Sequence, residues 1–173
     1  VDKKEDWDEL QEICFFLAEN GAVTSQNAGG HIHIGSHVLE NNLIYWRQFI
    51  KTYMLYEKDL LEFFKGEYSE MRLLVGRYAE PIAKFLYQDL EKLNYILSFS
   101  DMYDEIFLQD RNVAVNFKNI KRGVYKPYPG STLEFRSPNG TSKEIIWQNN
   151  INTAAKLLKA PGKELIDEDY LDY

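Results

Sequence analysis

Two periodicities divide the chain. Over most of its length apolar residues recur every three to four positions, the spacing that lines one face of a helix, and in three short stretches they alternate with polar ones, the spacing of a half-buried strand. Helical spacing runs first through Trp7, Leu10, Ile13, Cys14 and Leu17, with Glu19-Asn20-Gly21 placed to end the helix in a glycine cap. It returns from about Glu40 to Phe64, where Leu43, Trp46, Ile50, Tyr53, Met54, Leu60, Leu61 and Phe64 form one broad stripe that Lys65-Gly66 stops. A further helix is expected to open at Pro81 and to carry Ile82, Phe85, Leu86, Leu90, Leu93 and Leu97. Shorter helical turns fit Ser69 to Arg77 and Ser100 to Leu108, the second capped by Ser100 or Asp101. Thr141 and Glu144 have capping-box spacing ahead of Ile145, Ile146, Trp147, Ile151, Ala154, Leu157 and Leu158, which predicts a helix to about Lys159, ended by Pro161-Gly162.

The alternating stretches are Gly29 to Gly35, Arg111 to Lys118 and Ser131 to Arg136. In the first, Ile32 and Ile34 share one face and His31 and His33 the other; in the second, Val113, Val115 and Phe117 lie opposite Ala114, Asn116 and Lys118. In the third, Leu133 and Phe135 lie opposite Thr132, Glu134 and Arg136. A sheet with its apolar face under the helices would therefore collect His31, His33, Asn116, Lys118, Glu134 and Arg136 on its other face. The fold class is α+β, an antiparallel sheet packed on helices, with loops at Ala22 to Ala28 and Lys121 to Gly130. Residues 1–173 read as a single domain with an acidic, solvated tail over 160–173.

Composition narrows the setting. At 45% hydrophobic and 27% charged the chain is globular in type, and no run approaches the roughly 18 apolar residues of a membrane span. A net charge of -7 argues against a broad nucleic-acid surface, since the basic cluster Lys118 to Arg122 with Lys126 is short. Cys14 is the single cysteine, so an intrachain disulfide is ruled out and a reducing, cytoplasmic setting is expected. Val1 to Asp6 has neither a starting Met nor a signal-peptide core, and it opens like a piece cut from a longer protein.

Charge on one sheet face admits two accounts. In one the face is solvated, Glu134 pairs with Arg136 or Lys118, and the histidines satisfy backbone groups. In the other it binds a metal and phosphates, because imidazole and carboxylate ligate divalent cations and an Arg fork two residues beyond the carboxylate suits phosphate oxygens. The three histidines of the chain, His31, His33 and His37, fall within seven positions. A hydrolase built on His31 and His33 would want further ligands downstream, and no histidine follows His37.

Gly29-Gly30-His31-Ile32-His33-Ile34-Gly35, Asn116 in an alternating strand, and Thr132-Leu133-Glu134-Phe135-Arg136 followed by Asn139-Gly140-Thr141 resemble, in this order, the motifs of the amidoligase family. That family is a branch of the glutamine synthetase and carboxylate-amine ligase superfamily, and the resemblance covers roughly Gly29 to Leu158. It implies a glutamine synthetase-like catalytic-domain fragment. By it, His31 and Glu134 would bind a metal, Mg2+ or Mn2+, His33 and Asn116 would lie near ATP, and Arg136 would steady the transferring phosphoryl group. The implied reaction joins a small-molecule or peptide carboxylate to an amine through an acyl phosphate, with no nucleic acid and no membrane as partner. One departure stands out: the superfamily has an acidic metal-binding strand upstream of the histidine motif, and Val1 to Ala28 carries none. The chain is thus expected to be the C-terminal part of the catalytic domain, inactive alone, or a non-catalytic interaction domain that keeps the fold.

Overall fold

A computed structural model describes residues 3–25, 27–39, 42–67, 79–86, 90–107, 112–120 and 131–163. Helix α1, Lys4–Glu19, ends as its sequence predicts: Gly21 adopts φ 72°, its N–H bonds to the Ala18 carbonyl (3.0 Å), and Ala22 bonds to Leu17 (2.9 Å). This is a Schellman cap, for which a residue without Cβ is favoured. The predicted burial of this helix is only partly met. Cys14 is buried and Trp7 and Leu10 are half-buried, but Ile13 and Leu17 are 50% and 39% exposed.

Strand β1, Ile32–Gly35, leads through a 3-10 turn, Ser36–Leu39, into α2, Leu43–Phe64, which Asn42 caps by accepting the Ile44 N–H at 3.0 Å. The stripe read from sequence is the core here: Trp46, Ile50, Tyr53, Met54, Leu60 and Phe64 are buried, joined by Phe49. Gly66, at φ 65°, closes the helix. The helical turn expected over Ser69 to Arg77 falls outside the described residues.

Ile82 leads into α3, Ala83–Leu86, and α4 spans Leu90–Tyr95; their buried side chains Ile82, Leu86 and Leu93 are those expected, whereas Leu97 is 81% exposed. Helix α5, Phe99–Met102, is capped by Ser98, which accepts the Asp101 N–H at 3.1 Å, so the cap precedes both residues the sequence suggested. A π-turn at Tyr103–Phe107 follows. Strand β2 is Val115–Asn116 and β3 is Thr132–Phe135; the 121–130 loop lies outside the described residues. Helix α6, Glu144–Lys159, starts without the expected capping box. Thr141 Oγ1 is committed elsewhere, accepting the Lys143 N–H and donating to Glu67 Oε1, each at 3.0 Å. A 3-10 turn, Pro161–Lys163, ends that helix, and the tail from 164 lies outside the described residues.

The sheet is antiparallel in the order β1-β3-β2. The fold is therefore α+β, as the two periodicities predict. Ile32, Val115, Leu133 and Phe135 point into one hydrophobic cluster with α2, where Phe135 sits 6.3 Å from Phe49 and 6.1 Å from Tyr53, ring centre to ring centre. Burial pushes the Tyr53 phenol above its ordinary range, against the lowering effect of its contact with Ser137. The long β2 expected over Arg111 to Lys118 is reduced to two residues. Before it, Val113 pairs in parallel with Glu80, and the Glu80 carbonyl accepts the Ala114 N–H at 2.7 Å. Ala114 and Asn116 are buried as well as the Val113, Val115 and Phe117 face, so β2 is enclosed on both sides.

Candidate functional site

Register explains why the polar residues meet. His33 pairs with Glu134 and Glu134 with Asn116, so the three lie in one row across β1, β3 and β2. Alternation then puts all three on the same face, opposite the core-facing Leu133 and Phe135. One step beyond the Ile32–Phe135 pair stand His31 and Arg136, which lean in toward the row.

Glu134 is the centre. Its Oε1 lies 2.9 Å from His31 Nδ1 and accepts from Arg136 Nη1 at 2.8 Å, while Oε2 accepts from Asn116 Nδ2 at 2.8 Å. His33 Nε2 stands 3.8 Å from Oε1, beyond direct hydrogen-bond reach. The carboxylate is 6% exposed as a residue, yet His31 and His33 keep 41% and 46% of their side-chain surfaces open. A buried acid therefore opens outward through two imidazoles. Burying that carboxylate without donors would cost several kcal/mol, and Arg136 on one oxygen and Asn116 on the other offset it.

Two glycines shape the histidine strand. Gly30 gives its N–H to the Pro138 carbonyl at 2.8 Å, and a Cβ there would collide with the Trp147 ring, which is pinned by its own bond from Nε1 to the Thr141 carbonyl (2.9 Å). The missing side chain of Gly30 thus makes room for a tryptophan. At Gly35 a Cβ would stand 2.5 Å from His37 Nδ1, so the third histidine rests against the last residue of β1.

All five site residues expected from sequence, His31, His33, Asn116, Glu134 and Arg136, come together in this cluster. Lys118 sits exposed in the turn after β2, where its backbone N–H bonds to Asn116 Oδ1 at 2.9 Å and so fixes the amide that faces Glu134. Two further residues join from the same face. Thr132 Oγ1 is 3.2 Å from His33 Nδ1, and Asn119 Nδ2 reaches both Thr132 Oγ1 at 3.3 Å and His33 Nδ1 at 3.5 Å. Thr132 was visible in the alternation; Asn119 lies past the end of it, and only the turn brings it back.

A family model described as "Putative amidoligase enzyme" matches residues 1–158. The chain belongs to the amidoligase family. The match extends the resemblance seen over Gly29 to Leu158 back through α1. No curated protein and no solved structure matches this amidoligase-family chain.

For a divalent cation the donors available at the centre are one imidazole, His31, and one carboxylate, Glu134, and among the described residues no group of three or more His, Cys, Asp or Glu is placed to hold one. Among the described residues no helix is long and apolar enough to cross a membrane.

Proposed function

We propose that this amidoligase-family chain forms the metal- and phosphate-facing wall of an ATP-dependent ligase that joins a small-molecule or peptide carboxylate to an amine. The observation that carries this reading is the convergence of His31, Arg136 and Asn116 on the buried Glu134, beneath the open imidazole of His33. Phosphoryl transfer asks an enzyme chiefly to position reactants and to neutralise charge, and this cluster supplies a fixed cation, donors and a carboxylate on rigid strands.

His31 and Glu134 would be protein ligands of Mg2+ or Mn2+, which supplies charge neutralisation on the phosphates when bound. Arg136 steadies the transferring phosphoryl group, held in place by its bond to Glu134. Asn116 fixes the second carboxylate oxygen, and His33 faces the nucleotide. In the reaction an acyl-donor carboxylate oxygen bonds to the γ-phosphorus as the bond to ADP breaks. The amine nitrogen then attacks the acyl carbon, loses a proton, and phosphate leaves. A cytoplasmic location accords with this use of ATP.

The test is ADP release by the full-length protein, dependent on both an amine and a carboxylate, in wild type and Glu134→Ala. Loss of most turnover in the variant is expected; equal rates in both would remove Glu134 from the reaction. A second reading, a non-catalytic interaction domain, is favoured by one feature: protein donors already occupy both Glu134 oxygens. It predicts that calorimetric titration of the full-length protein detects neither Mg2+ nor ATP binding.

A further inference from the structure

We propose that Thr132 and Asn119 fix the tautomer of His33, keeping its ring proton on Nε2 and so presenting an N–H donor to the cleft beside Glu134. Asn119 Nδ2 is a donor only, and it lies 3.3 Å from Thr132 Oγ1 and 3.5 Å from His33 Nδ1. Thr132 Oγ1 is in turn 3.2 Å from the same imidazole nitrogen. A hydroxyl that accepts the amide proton has its own proton to give, and Nδ1 is the acceptor in reach. A proton on Nδ1 would instead face the Asn119 amide donor at 3.5 Å. The relay therefore runs from the Asn119 amide through the Thr132 hydroxyl to Nδ1, and the ring proton resides on Nε2.

Position makes this consequential. The His33 side chain is 46% exposed, and in water its ring would sample both tautomers; the relay selects one. Nε2 lies 3.8 Å from Glu134 Oε1, too far for a direct bond yet beside the site carboxylate. Thr132 and Asn119 are positioning residues, acting through His33. That the acceptor is an ATP phosphate oxygen rests on the ligase reading above; the tautomer does not.

The experiment is long-range 1H–15N correlation of the imidazoles near pH 8, above the ordinary histidine range, in the full-length protein, with the His33 signals identified by their loss in His33→Gln. Wild type is expected to show Nε2 protonated and Nδ1 bare. Asn119→Asp replaces a donor by an acceptor and is expected to move the proton to Nδ1; Thr132→Val, which keeps the β-branched shape, is expected to give a mixture. A proton on Nδ1 in wild type, or an unchanged tautomer in both variants, overturns the relay. In parallel, Mg·ATP affinity is expected to fall about tenfold or more in Asn119→Asp, the effect of one lost charge-assisted hydrogen bond. A flipped tautomer with unchanged Mg·ATP affinity overturns the phosphate assignment of His33 while the relay stands.

Discussion

Removing the Glu134 carboxylate should cost about 3 kcal/mol of stability, because it takes the counter-charge from Arg136. The guanidinium is 2.8 Å from Oε1 and its side chain is only 14% exposed. At an effective dielectric constant near 20 two unit charges at that distance attract by about 6 kcal/mol, most of which offsets the cost of taking both out of water. Deleting one member of a desolvated ion pair typically costs about 3 to 5 kcal/mol, and the partial exposure of Arg136 sets the expectation at the low end. Glu134→Ala should therefore lower the urea midpoint by about 1.5 M, with a slope near 2 kcal/mol per molar. Arg136→Met should cost less, since Asn116 and His31 still serve the carboxylate. The double variant should be more stable than the sum of the two losses by about 2 kcal/mol. A Glu134→Ala loss under about 1 kcal/mol, or additive single losses, would show that the pair is solvated and that the buried centre described above is wrong.

Gly30→Ala forces a methyl into the Trp147 ring and should cost about 1 to 3 kcal/mol by overpacking; in a Trp147→Leu background the same change should be nearly neutral, and an equal cost in both backgrounds would refute the contact. Burial raises the carboxyl of Glu57 above its usual 4.5, outweighing the N–H groups of Ala83 and Ile82 that favour its ionised form. Its contribution is full below 4.5 and is lost as pH rises through the raised value, so Glu57→Gln should flatten that loss in urea midpoints measured against pH. Glu67 has the opposite sign. Its hydrogen bond from Lys143 lowers it, so its contribution is present above 4.5 and disappears as pH falls, and Lys143→Met should remove that acid-side dependence.

The five site residues were legible because strand alternation sorts side chains by face and because imidazoles, a carboxylate and a guanidinium are conspicuous on a polar face. Their registry was not legible: nothing local to His33, Glu134 or Asn116 states that they share a row, and a slip of one residue would have sent Glu134 into the core. Helix interiors were readable where burial enforces a stripe, as in α2. Caps failed where the capping side chain had a better tertiary partner, as Thr141 has in Glu67. Exposed Ile13 and Leu17 show the limit of periodicity, which reports that a helix has an apolar face and not what covers it.

Glu57 was the residue sequence could least foresee. It sits on the apolar stripe of α2, 3% exposed, and its carboxylate takes the backbone N–H groups of Ile82 at 2.7 Å and Ala83 at 2.9 Å, a segment 25 residues on. That segment carries Glu80, whose N–H bonds to the Asn112 carbonyl and whose own carbonyl takes the Ala114 N–H, each at 2.7 Å. Ala114 in turn accepts the Arg136 N–H at 2.9 Å, and Asn116 lies two residues further along β2. A buried acid in the central helix thus anchors the short strand that presents Asn116 to Glu134. With only two residues in its ladder, β2 has little hold of its own. The position of the amide that orients the site carboxylate is set by bonds made outside the sheet, which is why a strand so short can serve a site that needs it fixed.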